Sequence, residues 1–197
     1  MKTSAISARR LLLFLDSKDP KESRFIEFTN ELYGRLADEL NTNQFFSLEP
    51  ANALLFGEPD RFGSEVASRF PNAAFDIEES AKCLALGRGT ACVFHLMRVL
   101  ELALYELGMK LGLTLVAEKN WQKIINDMNG AVNKLPRTTQ PEKEYLAKCS
   151  ETVLHFQHVK DAWRNDVMHP RDVYTEEQAL EVFETTRRLM KSLAAFL

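Results

Sequence analysis

The densest run of residues capable of chemistry is Trp163-Arg164-Asn165-Asp166-Val167-Met168-His169-Pro170. Arg164 is permanently charged and presents a planar fork of donors that suits a phosphate. His169 is the side-chain type that takes and returns a proton near neutral pH. Asn165 sets an amide beside the arginine, where it can orient that group or a phosphate. On an unbroken helix Arg164 and His169 would lie about 140° apart. Pro170 changes this, because the residue before a proline avoids helical backbone and His169 is freed to turn towards Arg164. A guanidinium and an imidazole in one groove can stabilise charge on phosphoryl oxygens and move a proton. A plainer role is also open to both, since basic side chains at a helix C-terminus neutralise its last carbonyls.

Further polar groups stand out against apolar surroundings. Arg98, Glu101 and Tyr105 fall within about 60° of one another on a helical wheel, with His95 a further 60° away. They form a polar stripe on the most apolar segment of the chain, which reads either as the second wall of a cleft or as an Arg98–Glu101 pair at i,i+3. His155, His158, Lys160 and Arg171 raise the positive potential around Arg164. The two histidines are three apart, but no carboxylate or cysteine completes a metal-ligand set, and no metal or other cofactor is expected. Cys83, Cys92 and Cys149 match no zinc or redox spacing and read as small buried thiols. Gly87-Arg88-Gly89 lacks the spacing of a phosphate-binding loop.

Helices must position these groups. No segment alternates apolar and polar residues for long, whereas three- and four-residue spacing recurs throughout. Helices are predicted over 5–15 and 21–40, the second with Phe25, Phe28, Leu32, Leu36 and Leu40 on one face. Pro50, Gly57, Pro59, Gly63 and Pro71 punctuate 44–71, which predicts short helices and loops. Helix resumes after Pro71, bends or breaks at Gly87-Arg88-Gly89, and continues over 90–111 as the central rod. A short helix follows over 121–128. A long one runs over 142–168, with Phe156, Val159, Trp163 and Val167 marking its core face, and Pro170 stops it. Thr175-Glu176-Glu177-Gln178 fits a capping box that opens a last helix over 176–196.

Taken together, Arg164, Asn165 and His169 at the end of a long helix, followed by a loop and a final helix, resemble the HEPN superfamily signature. That signature is an arginine, commonly a polar follower, and a histidine after four to six intervening residues; here four intervene. The stretch from Ala91 to Glu101 is similar to the first core helix of such domains. The resemblance covers about 72–197 and leaves 1–71 as an N-terminal helical extension. It implies an all-α antiparallel helical bundle that works as a homodimer, with two Arg/His sets meeting across a cleft. It further implies a metal-independent endoribonuclease, as in toxin–antitoxin and phage-defence systems. The alternative it carries is a non-catalytic module that binds RNA, a nucleotide, or a partner protein such as a nucleotidyltransferase antitoxin. Catalysis would fall to Arg164, Asn165 and His169. His95, Arg98, Glu101, Lys160 and Arg171 are the expected binding residues.

Composition sets outer bounds. The 197 residues are 45% hydrophobic and 27% charged, a globular balance. The net charge of −3 means that nucleic acid would be held by a local basic patch rather than a global field. Leu11 to Leu15 after Arg9-Arg10 is too short for a signal core and leads into charged residues. The expectation is therefore a cytoplasmic protein with no membrane partner.

Overall fold

The computed structural model describes residues 3–16, 21–45, 47–57, 60–114, 120–164 and 173–197. Its regular structure is helical throughout these residues, as the periodicity predicts, with no strand among them. The chain divides into two compact units, Met1–Ser47 and Leu48–Leu197.

The first unit is a helical hairpin of α1 (Thr3–Leu15) and α2 (Glu22–Thr42). Its interior is small and polar. Glu39 accepts hydrogen bonds from Thr3 Oγ1, Ser4 N and Ser4 Oγ at 2.7–2.9 Å. Glu31 accepts from Ser7 Oγ at 3.1 Å and pairs with Arg10 and Arg35. Later residues of α1 thus meet earlier residues of α2, so the two helices run in opposite directions. Buried Ser4 and Ser7 let the backbones approach. Phe14 packs edge-on against Phe28 with ring centroids 5.2 Å apart. The predicted apolar stripe of α2 is only partly used: Phe28 and Leu32 are half-buried, whereas Phe25, Leu36 and Leu40 are exposed.

The second unit contains α3 (Pro50–Ala53), α4 (Ser64–Arg69), a 3-10 turn (Pro71–Ala73), α5 (Ala74–Ala85), α6 (Gly89–Lys110), α7 (Trp121–Val132), α8 (Gln140–Val159), a π-helical turn (Lys160–Arg164) and α9 (Glu176–Phe196). Residues 48–71, which the sequence groups with the extension, contribute Phe62, Val66 and Phe70 to this unit's core. Phe62 meets Phe183 of α9 edge-on at 5.2 Å. Proline and glycine punctuation marks a loop but does not say which body the loop's aromatic residues join.

As its composition predicts, α6 is central. Val93, Leu96, Val99, Leu100, Ala103, Leu104 and Leu107 are fully buried, and the helix packs most extensively on α5 and α9. The Gly87-Arg88-Gly89 break is a Schellman turn: Arg88 N donates to Cys83 O and Gly87 N to Leu84 O, with Gly87 at φ +67°. Gly89 has a separate reason to be glycine. A Cβ there would fall on the backbone oxygen of Tyr174 and 2.8 Å from that of Thr175. The chain just before α9 lies directly against the first turn of α6.

Capping explains where α8 and α9 start. Thr139 and Glu142 form a reciprocal capping box, which begins α8 two residues earlier than its apolar pattern indicates. Backbone N–H groups of Thr139 and Thr138 hold the Glu142 carboxyl below its ordinary range. The predicted box of Thr175 and Gln178 opens α9. The three cysteines are free thiols, and burial pushes Cys92 up to about 12.

A candidate functional site around Arg164 and the start of the central helix

Instead of continuing as regular α-helix, the C-terminal end of α8 widens into a π-helical turn over Lys160–Arg164. Such turns are rare and cluster at functional positions. The turn rotates Trp163 and Arg164 away from the register that α8 would have set. Arg164 is half-buried, and its guanidinium carbon stands 5.1 Å from the ring centre of Trp121 on α7. Trp121 is buried and packs edge-on against Phe156 of α8. Its indole N–H is buried with no hydrogen-bond partner. Arg164 has no carboxylate partner among the described residues. An aromatic face thus positions its donor fork without neutralising it.

The motif's other members, Asn165 and His169, lie outside the described residues, as do Val167 and Arg171. The surroundings of Arg164 are described up to that point. Tyr174 N donates to Thr90 Oγ1 at 3.0 Å, and Tyr174 Oη donates to Trp163 O at 3.3 Å. One tyrosine therefore ties the first turn of α6 to the turn that carries Arg164.

One and a half turns further along α6, about 7.5 Å of helix rise, stands the predicted polar stripe. It is organised by a residue that the sequence reading does not single out. Asp76 of α5 is buried, and its Oδ1 receives both His95 Nδ1 and Arg98 Nε at 2.8 Å. Arg98 thus engages Asp76 from the neighbouring helix, and this hydrogen bond holds its guanidinium pKa above the ordinary value. Glu101 sits at the far end and accepts a long 3.5 Å bond from Tyr105 Oη. With Nδ1 held by a carboxylate, His95 keeps Nε2 as its second ring nitrogen, the arrangement by which an acid orients an imidazole. Phe75 and Phe94 stand edge-on to the His95 ring, and both are exposed.

A signal for Asp76 is present in the sequence. Asp76, Ile77, Ser80, Ala81 and Leu84 form one buried stripe of α5 at three- and four-residue spacing. A carboxylate on such a stripe must find a partner, because an unpaired buried charge is costly. His95 and Arg98 on the adjacent helix are that partner. The structure therefore brings His95 and Arg98 together, with Glu101 beside them. Lys160 is set apart: its ammonium is largely covered and engaged by Asp161.

Among the described residues no three metal-capable side chains gather at one point, and no helix is long and apolar enough to cross a membrane. Comparison with known proteins finds no matching family model, no similar characterised protein and no similar solved structure.

Proposed function

We propose that the chain is a HEPN-like, metal-independent endoribonuclease, with Arg164 as the clamp on the scissile phosphate, His169 as the proton-transfer group and Asn165 as an orienting group. The observation that carries this reading is the presentation of Arg164: a guanidinium seated on an aromatic face, on a π-helical turn, with no carboxylate partner among the described residues. RNA cleavage by attack of the 2′-hydroxyl needs a base, charge stabilisation at phosphorus and an acid for the leaving oxygen. Arginine and histidine supply all three without a metal. In this reading the chain acts in the cytoplasm as a homodimer, with two Arg/His sets facing one cleft, as a toxin or phage-defence effector.

The test is cleavage of a single-stranded RNA by the purified chain in chelator. Arg164→Ala should lower the rate by roughly 10²- to 10³-fold, the cost of removing one transition-state donor. Arg164→Lys should rescue little, since an ammonium cannot reproduce the planar fork. Cleavage that survives Arg164→Ala and His169→Ala, or that needs Mg²⁺, rules the mechanism out.

The net charge of −3 favours a second reading. In it the same bundle is a non-catalytic module that binds RNA, a nucleotide or an antitoxin-type nucleotidyltransferase, and no RNA is cleaved under any of these conditions.

A further inference from the structure

A cavity of about 370 Å³ opens between the end of α8 with its π turn and the middle of α9, with Trp163 but not Arg164 in its lining. Its polar lining is His155, His158, Trp163, Thr185, Arg188 and Ser192, over a floor of Val159, Ala162 and Leu189. Three features of this lining point to a ligand. First, no carboxylate lines it. Of the acids around it, Asp161 is held by Lys160 and Gln157 and lies near His158, Glu184 pairs with Arg187, and Glu181 lines the adjoining hollow on the other side of Trp163. Second, the polar side chains facing it, of which His155, His158, Arg188 and Ser192 are solvent-exposed, are available to a ligand. The hydroxyls of Thr185 and Ser192 and both imidazoles make no hydrogen bond within the described residues. Arg188 uses only Nε, on the backbone oxygen of Glu184 at 3.3 Å, which leaves its terminal amines free. Third, half-buried Trp163 supplies a flat aromatic wall above an apolar floor.

A cationic fork, two imidazoles, two hydroxyls and an indole suit a ligand with a planar ring, hydrogen-bonding edges and an anionic group. A nucleotide unit has this chemistry: its base stacks on aromatic side chains and its phosphate takes an arginine. The volume lies within the range of small-ligand sites. Trp163 and Arg164 share one π-helical turn, with Arg164 on the Trp121 side and Trp163 on the cavity side. A strand that takes both would pass across this turn.

We infer that this cavity is the base-selecting subsite of the Arg164 centre, taking one nucleotide of a single-stranded RNA with its base on Trp163 and its phosphate on Arg188. The inference rests on the ribonuclease reading for the source of the nucleotide, but the binding chemistry stands apart from cleavage.

The experiment is fluorescence-anisotropy binding of a labelled single-stranded decamer to the full-length His169→Ala chain, which avoids turnover. Arg188→Glu and the double variant His155→Ala/His158→Ala are compared with it, and circular dichroism checks that each is folded. On the ligand side, abasic sugars replace the bases one position at a time, so no protein variant needs to fold. Arg188→Glu should weaken binding at least tenfold, and one abasic position should weaken it on the order of tenfold, as loss of one stacked base does. If Arg188→Glu binds within twofold of its parent, or no abasic position matters, the inference is wrong. Free 5′-AMP that displaces the decamer at micromolar concentration, with an affinity sensitive to Arg188→Glu, would assign the cavity to a free nucleotide and overturn the strand-binding role. Base-dependent binding without any cleavage by the unmutated chain would retain the subsite and refute the nuclease.

Discussion

At the scale of the residue, Arg164 and Asp76 stand in the sequence in two different ways. Arg164 is proposed from its spacing to His169 and from Pro170, and the structure describes only Arg164 of that motif. Asp76 is legible only if burial is read along α5, where an acid occupies a core position. Once its partners are known, its energetics can be tested. Asp76→Asn retains shape and one acceptor oxygen but leaves the Arg98 guanidinium without its charge partner. Hydrogen bonds to charged groups contribute about 1.5–3 kcal/mol, and thermal unfolding should show a loss near the lower end of that range, because the Arg98 side chain is 56% exposed and partly screened. Arg98→Ala should cost less than Asp76→Asn, since it leaves His95 on the carboxylate. Equal stability of Asp76→Asn and the unmutated chain would mean that the cluster contributes nothing to holding α5 on α6.

At the scale of the element, helix starts are more legible than helix interiors. Caps are local chemistry, so Thr175-Glu176-Glu177-Gln178 fixes the start of α9 in sequence as in space. The π turn at Lys160–Arg164 is not local in that sense. Its residues meet distant parts of the chain, Arg164 on Trp121 of α7 and Trp163 O on Tyr174, and no residue within 160–164 announces it. The break before α6 is marked by its glycines, but the reason Gly89 cannot carry a side chain comes from residues 174 and 175, far along the chain. Gly89→Ala should therefore destabilise the fold by about 1–3 kcal/mol through overpacking against backbone that cannot move aside alone. Differential scanning calorimetry would record this. An unchanged melting temperature would show that the close approach of α6 to the chain before α9 is not maintained. Thr175→Ala should cost about 1 kcal/mol, the usual value of an N-cap.

At the scale of the whole molecule, the helical class is readable from periodicity alone, but the division into units is not. Turn residues over 44–71 suggest one boundary, yet Phe62, Val66 and Phe70 join the core of the C-terminal unit. Tertiary burial decides that allegiance, and proline and glycine spacing carries no information about it. Charge also acts at this scale. Glu142 and Asp161 are both held below their ordinary ranges, the first by backbone N–H groups and the second by Lys160 and Gln157. Each binds a proton more weakly in the folded chain than in the unfolded one. Their stabilisation is therefore complete above the unfolded values of 4.5 and 3.8 and is lost as pH falls through the lower folded values. Glu142→Gln keeps the cap but cannot titrate, so it should flatten part of the acid limb of a stability–pH curve. An identical acid limb in this variant would contradict the role given to the Glu142 carboxylate.

A chain with net charge −3 cannot hold RNA by its overall field. The proposed nuclease would therefore take phosphate on a few local cations, Arg164 foremost. The most direct measurement is the chemistry of the cut ends: incubate a defined single-stranded RNA with the purified chain in chelator and identify the termini. A nuclease of the proposed kind gives 2′,3′-cyclic phosphate and 5′-hydroxyl ends, does not cut the same strand with 2′-deoxy sugars, and loses both products in Arg164→Ala. Products bearing 5′-phosphate, or cutting of the 2′-deoxy strand, would contradict it.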